Sequence, residues 1–579
     1  MAIDNKEIAE SIFIRLRPIY VNETSDVLHE IAKGLSARFT KKTKTSSHRT
    51  EKWDASTCVL ITYADSLSQE DVPPLKTLST FLDEYLIGMI DTVHILPFFP
   101  SSSDDGFSVM HYKNPDKHFG TWDNIHEISG RYRVMADLVI NHGSRSGEWF
   151  KDFLDDKDPG ADFFFTVDNT FDTSQVIRPR DHNLIQSVNT KSQTKQVWCT
   201  FSEDQVDYNF ENPRVLAYFL HTIYDFIDRG ISVLRLDAIG FLWKKSGSSC
   251  LNLKQTHAIV KLIRYVCEQY APNVIIVTET NLPNQENLSY FGNGNEAHWI
   301  YNFPLPPLIL HSLLASDSTA LRRWAMSMPP ALEGTSYLNF LASHDGFGLR
   351  PIEGLMSEQE QSDLVNRLEK NGSLFTWRLA DNGSKKIYEA NITLFSALEK
   401  CDQDPEGNYQ LERFFAAHLM MFSLEGIPAL YINSVLGAKN DNKGAKVSGI
   451  NRRINRKKFL KEEVVNNLDV AHSIEKTVLE KISQFVAIRS KQRAFHPNAT
   501  QFTLQLGPHF FGVWRQSRDR SQSIFAITNI TSKRKTLPLD ELNLIDIEKW
   551  RDLLIDEMIS INQTGLPFSP YQTAWITNN

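Results

Sequence analysis

The stretch Ile231-Ser232-Val233-Leu234-Arg235-Leu236-Asp237-Ala238-Ile239-Gly240 decides the fold. Ile231, Val233 and Leu234 form a short apolar run bounded by Gly230 and Gly240, the pattern of a buried strand. Arg235 and Asp237 lie two apart near its end, so on a strand both point to the same side. Charges at the end of a buried strand lose hydration unless they are paired or used. Taken alone, the two would make a structural ion pair. They do not stand alone.

Similar apolar runs recur on both sides of this stretch. Before it come Cys58–Thr62, Thr92–Leu96 and Val134–Ile140; after it come Val274–Glu279, His298–Tyr301, Ser336–Leu341 and Ile427–Ile432. Amphipathic segments such as Leu216–Ile227 lie between several of them. Strands that alternate with helices imply a parallel sheet, and eight of them suggest a closed (β/α)8 TIM barrel. An open doubly wound sheet fits less well, because no glycine-rich phosphate turn follows the first strand.

Two connections exceed a plain strand-to-helix loop. Residues 143–205, after the third strand, predict an inserted subdomain, and residues 346 to about 410, after the seventh, a second insertion. Residues 1–52 read as a helical N-terminal extension that runs into the polar, basic linker Lys41–Ser47. The catalytic barrel is expected over 53–142 and 206–500. Beyond it, 501–579 alternate as strands do (Phe510–Trp514, Ser523–Ile527) and predict a C-terminal β-domain of sandwich type.

A net charge of −8 offers no electrostatic reason to expect a nucleic acid or an anionic membrane surface as partner. The N-terminus lacks the basic and apolar regions of a signal peptide, and no apolar run approaches a membrane span. Five widely spaced cysteines without a C-x-x-C pattern suggest a reduced, cytoplasmic protein with no structural zinc. No metal and no cofactor are expected.

Polar residues gather where the runs end: Asp137, Asn141 and His142 after the third, Arg235 and Asp237 after the fourth, Glu279 after the fifth, His344 and Asp345 after the seventh. In a barrel these ends converge on one face, the face that carries active sites. Acids and histidines crowded on one rim repel one another and lose hydration, which argues against a purely structural role for all of them.

These blocks resemble the signature regions of glycoside hydrolase family 13, the α-amylase superfamily. Asp104–Phe107, Arg178-Pro179-Arg180, Phe201–Asp207, Gly247–Cys250, Leu305–Leu308 and Asn451–Arg456 resemble its sucrose-phosphorylase subgroup more closely, over about residues 55 to 500. The resemblance implies a small sugar substrate, inorganic phosphate and a double displacement through two carboxyl groups about 5–5.5 Å apart. It implies Asp237 as nucleophile, Glu279 as acid/base and Asp345 as the carboxylate that holds glucose hydroxyls. Arg235 would keep Asp237 ionised. His142 and His344 would donate to the sugar, Asp104 and Arg452 would close the glucose pocket, and Phe107, Phe201 and Gln205 would line it. Phe107 and Phe201 equally suit a core. Arg180, ahead of Arg178, would meet phosphate.

Two segments depart from sucrose phosphorylases: Glu279-Thr280-Asn281-Leu282-Pro283-Asn284, where a histidine and aromatics are usual, and Ser343–Gly354. Both border the acceptor site in that subgroup, so fructose is not the expected leaving group. They look most like glucosylglycerate phosphorylases and their glucosylglycerol-acting relatives. The function expected is retaining phosphorolysis of such an α-glucoside to α-glucose 1-phosphate. Sucrose phosphorolysis, or hydrolysis or transglucosylation by the same three carboxylates, is the alternative. A glycerate carboxylate calls for a cation, and Arg350 and Lys244 are the candidates, although Glu353 stands close enough in sequence to neutralise Arg350. The assembly state stays open, a homodimer included.

Overall fold

Each of the eight apolar runs is a strand: β1 (Val59–Thr62), β2 (Thr92–Ile95), β3 (Arg133–Val139), β4 (Ile231–Asp237), β5 (Ile275–Thr278), β6 (Trp299–Tyr301), β7 (Ser336–Phe340) and β8 (Ile427–Tyr431). The computed structural model describes residues 5–40, 51–379, 385–542, 544–545, 549–560 and 564–578. The strands pair in parallel, in chain order, and β8 closes on β1. Nearly all their residues are buried, as expected when the barrel interior covers one face and helices the other.

β3 and β4 are the longest strands, and their register positions the site. A bulge between Ile231 and Val233 shifts the pairing so that Arg235 stands opposite Asp137. The helix before β4, Pro213–Asp228, starts with Pro213 in its first turn and Asn212 as cap, whose side chain accepts from the Arg214 N–H. Two residues past its end stands Gly230, with a φ of +97° and a position where an added Cβ would meet Ser129 Oγ at 2.6 Å, so only glycine fits.

The N-terminal segment forms two helices, α1 (Asn5–Leu16) and α2 (Ser25–Ser36). They pack on the helices Lys254–Tyr270 and Pro213–Asp228, and Ile12, Leu16 and Leu35 join the same apolar core as the barrel. Arg38 fastens them by ion pairs to Asp225 and Asp228 at 2.9 and 2.8 Å. The basic stretch Lys41–Ser47 lies outside the described residues.

Within 143–205 the chain forms a small antiparallel sheet of Thr166–Val167, Ile185–Asn189 and Thr194–Trp198, around a satellite core that includes Phe165, Leu184 and Trp198. His142–Ser144 pairs with Gln205–Asp207 at its base. After β7, the hairpin Leu374–Leu379 and Lys385–Asn391 leans over the same rim, with Phe347–Gly348 along its edge. The C-terminal part is a six-stranded antiparallel sheet with a separate two-stranded ribbon, and residues of both share one core. All five cysteines are buried and free. Among the described residues no helix is long and apolar enough to cross a membrane.

Candidate active site

Asp237 is the last residue of β4, Glu279 follows β5, and Asp345 follows β7. All three line one cavity of about 750 Å³, open mouth included, at the C-terminal ends of the strands. Asp104, Phe107, His142, Arg180, Phe201, Gln205, Arg235, His344, Arg350 and Arg452 line it with them. The structure therefore brings these candidate side chains to one place, and leaves out Lys244 and Arg178.

The charge pattern around the carboxylates is asymmetric. Arg235 Nη1 donates to Asp237 Oδ1 at 2.7 Å and to Asp137 Oδ1. Burial pushes the Asp237 and Glu279 carboxyls up; Arg235 opposes this in both, and each is raised further by a neighbouring carboxylate. Of the two, only Asp237 is in contact with Arg235, which favours its charged form against a burial that pushes it well above the usual carboxylate range. Asp345 is half-buried, and Arg452, at 2.8 Å, and Arg456 outweigh desolvation and hold it below the usual carboxylate range. The site thus sets two buried, mutually repelling carboxyls, Asp237 and Glu279, beside a third, Asp345, that arginines hold in its charged form.

The backbone aims these groups. Ala238, immediately after Asp237, adopts the left-handed conformation (φ 52°) at a cost of about 1–2 kcal/mol, and its N–H donates to Glu279 Oε2 at 3.1 Å. Asp104 and Asp105 are left-handed as well, with φ of 53° and 48°. That turn presents Asp104 to the cavity and Asp105 to Arg456 and Arg453, at 2.6 and 2.5 Å.

Both histidines are neutral: burial carries His142 down, and burial with Arg456 and Arg235 nearby carries His344 well below its ordinary value. His142 Nε2 lies 3.0 Å from the Phe107 carbonyl oxygen and 3.1 Å from Gln205 Nε2. The Phe107 ring stacks on His344 at 4.9 Å, so this aromatic serves the core and the cavity wall at once. Phe201 stands edge-on to Phe241 at 5.4 Å beside His142.

The cations divide by whether they are paired. Arg452 is committed: besides Asp345 it binds Glu389, through Nε at 2.7 Å and Nη2 at 2.9 Å. Arg180 packs over the Tyr388 ring at 4.7 Å and, among the described residues, bonds only the adjacent Pro179 carbonyl, whereas Arg178 turns away to the His182 carbonyl. Arg350 lines the cavity, and among the described residues no carboxylate or carbonyl holds its guanidinium. Glu353 does not neutralise it, since Glu353 pairs with Arg378 at 2.5 Å. Lys244 is not on the rim. It is fully buried against Asp207 at 2.6 Å and Asn141 at 3.1 Å, because a buried carboxylate needs a counter-charge.

Sequence reasoning missed several residues here. Glu389 lies in the second insertion, where no pattern marks it. Tyr388 and Asn281 line the cavity, and Asn281 Nδ2 donates to the Tyr388 hydroxyl at 3.3 Å. His94 hides inside an apolar run, with Nε2 2.8 Å from Asp137 Oδ2.

A (β/α)8 barrel with two raised carboxyls and a third held low by arginines, all lining one cavity at its C-terminal rim, defines a class, the enzymes that make or break glycosidic bonds. The chain belongs to the α-amylase family: residues 78–390 match the family described as "Alpha amylase, catalytic domain". It is 39% identical to a glucosylglycerate phosphorylase of Allomeiothermus silvanus over 574 residues, covering 98% of this chain and 99% of that one. A glucosylglycerate phosphorylase of Escherichia coli is 37% identical over 534 residues, covering 92% and 93%. The crystal structure of sucrose 6F-phosphate phosphorylase from Thermoanaerobacter thermosaccharolyticum superimposes with a TM-score of 0.72 at 23% identity, over 91% of this chain and all of that one.

Proposed function

We propose that the chain is a configuration-retaining phosphorylase that converts glucosylglycerate and inorganic phosphate to α-glucose 1-phosphate and glycerate, reversibly. Asp237 attacks the anomeric carbon while Glu279 protonates the departing glyceryl oxygen, forming a β-glucosyl ester. Phosphate then attacks the same carbon, Glu279 takes back a proton, and the ester bond to Asp237 breaks. Asp345, with Arg452 fixed by Glu389, holds the sugar hydroxyls.

The observation that carries the acceptor assignment is the Arg350 guanidinium in the cavity wall, which has no carboxylate partner among the described residues. A guanidinium placed in a site with several carboxylates, yet left without one of them, suits a ligand that supplies a carboxylate in a bidentate fashion. Glycerate does so; glycerol and fructose do not. The two glucosylglycerate phosphorylases named above support glycerate as the acceptor; in this reading glucosylglycerol comes second and sucrose third.

Acceptor competition in the synthetic direction tests it, with glucose 1-phosphate as donor and glycerate and glycerol at equal concentration. Wild type releases phosphate chiefly with glycerate, and Arg350→Ala raises the glycerate KM by about ten- to a hundredfold, the loss of one charge-assisted pair. Preference for glycerol in the wild type overturns the acceptor, and an unchanged glycerate KM removes Arg350 from it. Arg180→Ala is expected to raise the phosphate KM about tenfold or more while the glucoside KM stays within about twofold. Turnover that ignores phosphate in the wild type would make the enzyme a hydrolase.

A further inference from the structure

We propose that His94 is a positioning residue of glucosyl transfer: through Asp137 and Arg235 it keeps the negative charge on Asp237. The inference rests on the reading of Asp237 as the nucleophile.

His94 is wholly buried in the middle of β2, a strand otherwise apolar apart from Thr92. It does not line the substrate cavity, so any effect it has on the reaction passes through its neighbours. Its Nε2 lies 2.8 Å from Asp137 Oδ2. The other oxygen of that carboxylate, Oδ1, accepts from Arg235 Nη1, and the same Nη1 donates to Asp237 Oδ1 at 2.7 Å. One guanidinium nitrogen is thus divided between two carboxylates. The share that reaches Asp237 depends on how well Asp137 is satisfied from elsewhere, and His94 is what satisfies it.

Removing the imidazole leaves Asp137 a buried carboxylate with Arg235 as its main counter-charge. Arg235 is then drawn toward Asp137, and Asp237 holds its own charge less well. The need is greatest before reaction, because Asp237 becomes neutral once it forms the glucosyl ester. Arg235, Tyr301, His344 and Asp345 border the small cavity that His94 also borders; with Asp137 they are the charged or titratable groups around its ring among the described residues.

The test uses α-glucosyl fluoride, whose hydrolysis reports glucosyl transfer without phosphate or acceptor. It compares wild type with His94→Leu, which removes the donor, and His94→Gln, which offers an amide donor to Asp137. For His94→Leu we expect kcat to fall about tenfold or more, with KM within about twofold, and the acid limb of kcat/KM to move to higher pH by about one unit. The sign follows because a less well paired Asp237 ionises at higher pH. His94→Gln should keep its acid limb near that of wild type. A purely structural histidine would lower the melting temperature in both variants and leave the limb where it is, and that result overturns the proposal. Limbs displaced alike in both variants also overturn it. A wild type inert toward α-glucosyl fluoride overturns the glucosyl-transfer reading and this inference together, whereas an active wild type with an unshifted His94→Leu limb overturns this inference alone.

Discussion

Asp237→Asn lowers glucosyl transfer by about ten-thousandfold or more, in both the phosphorolytic and the synthetic direction, while the protein stays folded. An amide cannot form the ester through which both half-reactions pass. The fold tolerates the change because Asp137 remains as the buried partner of Arg235, and because Asp237 lies at the end of β4 rather than within the core packing. Initial rates with glucose 1-phosphate and glycerate, alongside a melting curve, check it. Turnover near that of wild type would show that another group attacks the sugar.

Glu279→Gln slows turnover of glucosylglycerate by between about a hundredfold and ten-thousandfold, because the glyceryl oxygen must then leave without a proton. The pH profile gives the second readout. Burial, opposed by Arg235 and reinforced by Asp345, holds the Glu279 carboxyl above its ordinary value. A raised carboxyl keeps its proton below the raised value and loses it as pH rises through it, so the alkaline limb of glucosyl-enzyme formation belongs to Glu279. The glutamine variant should lack that limb. With α-glucosyl fluoride, whose leaving group needs little protonation, this variant should still form the ester and then hold it, and intact mass would show one added anhydroglucose on Asp237. An alkaline limb that survives in Glu279→Gln would assign the acid elsewhere.

The barrel and the candidate carboxylates were legible for one physical reason: a strand buried on both faces reads as an uninterrupted apolar run, so a charge at its end stands out. Arg235 and Asp237, Glu279, and His344 with Asp345 all announce themselves in this way. His94 escaped because a single imidazole inside such a run looks like a core residue, and its partner Asp137 belongs to another strand 43 positions along. Glu389 escaped because the hairpin that carries it has no periodic relation to Arg452, 63 positions later. Lys244 was misplaced to the rim because spacing along a chain says nothing about a counter-charge across it. Asp207, which claims Lys244, became its neighbour only when the inserted subdomain folded back on β3.

Asp105 is tied to Arg456 and Arg453, and Asp345 to Arg452, which joins the loop after β2 to the turn after β8 behind the carboxylates. A groove that processes starch from within must let the polymer run out at both ends. Here one end is shut by ion pairs, so a glucosyl unit enters with a single linkage pointing outward. A pocket closed on that side has room for a terminal glucosyl unit and none for a chain running through it, which is the exo-acting geometry that the proposed reaction needs.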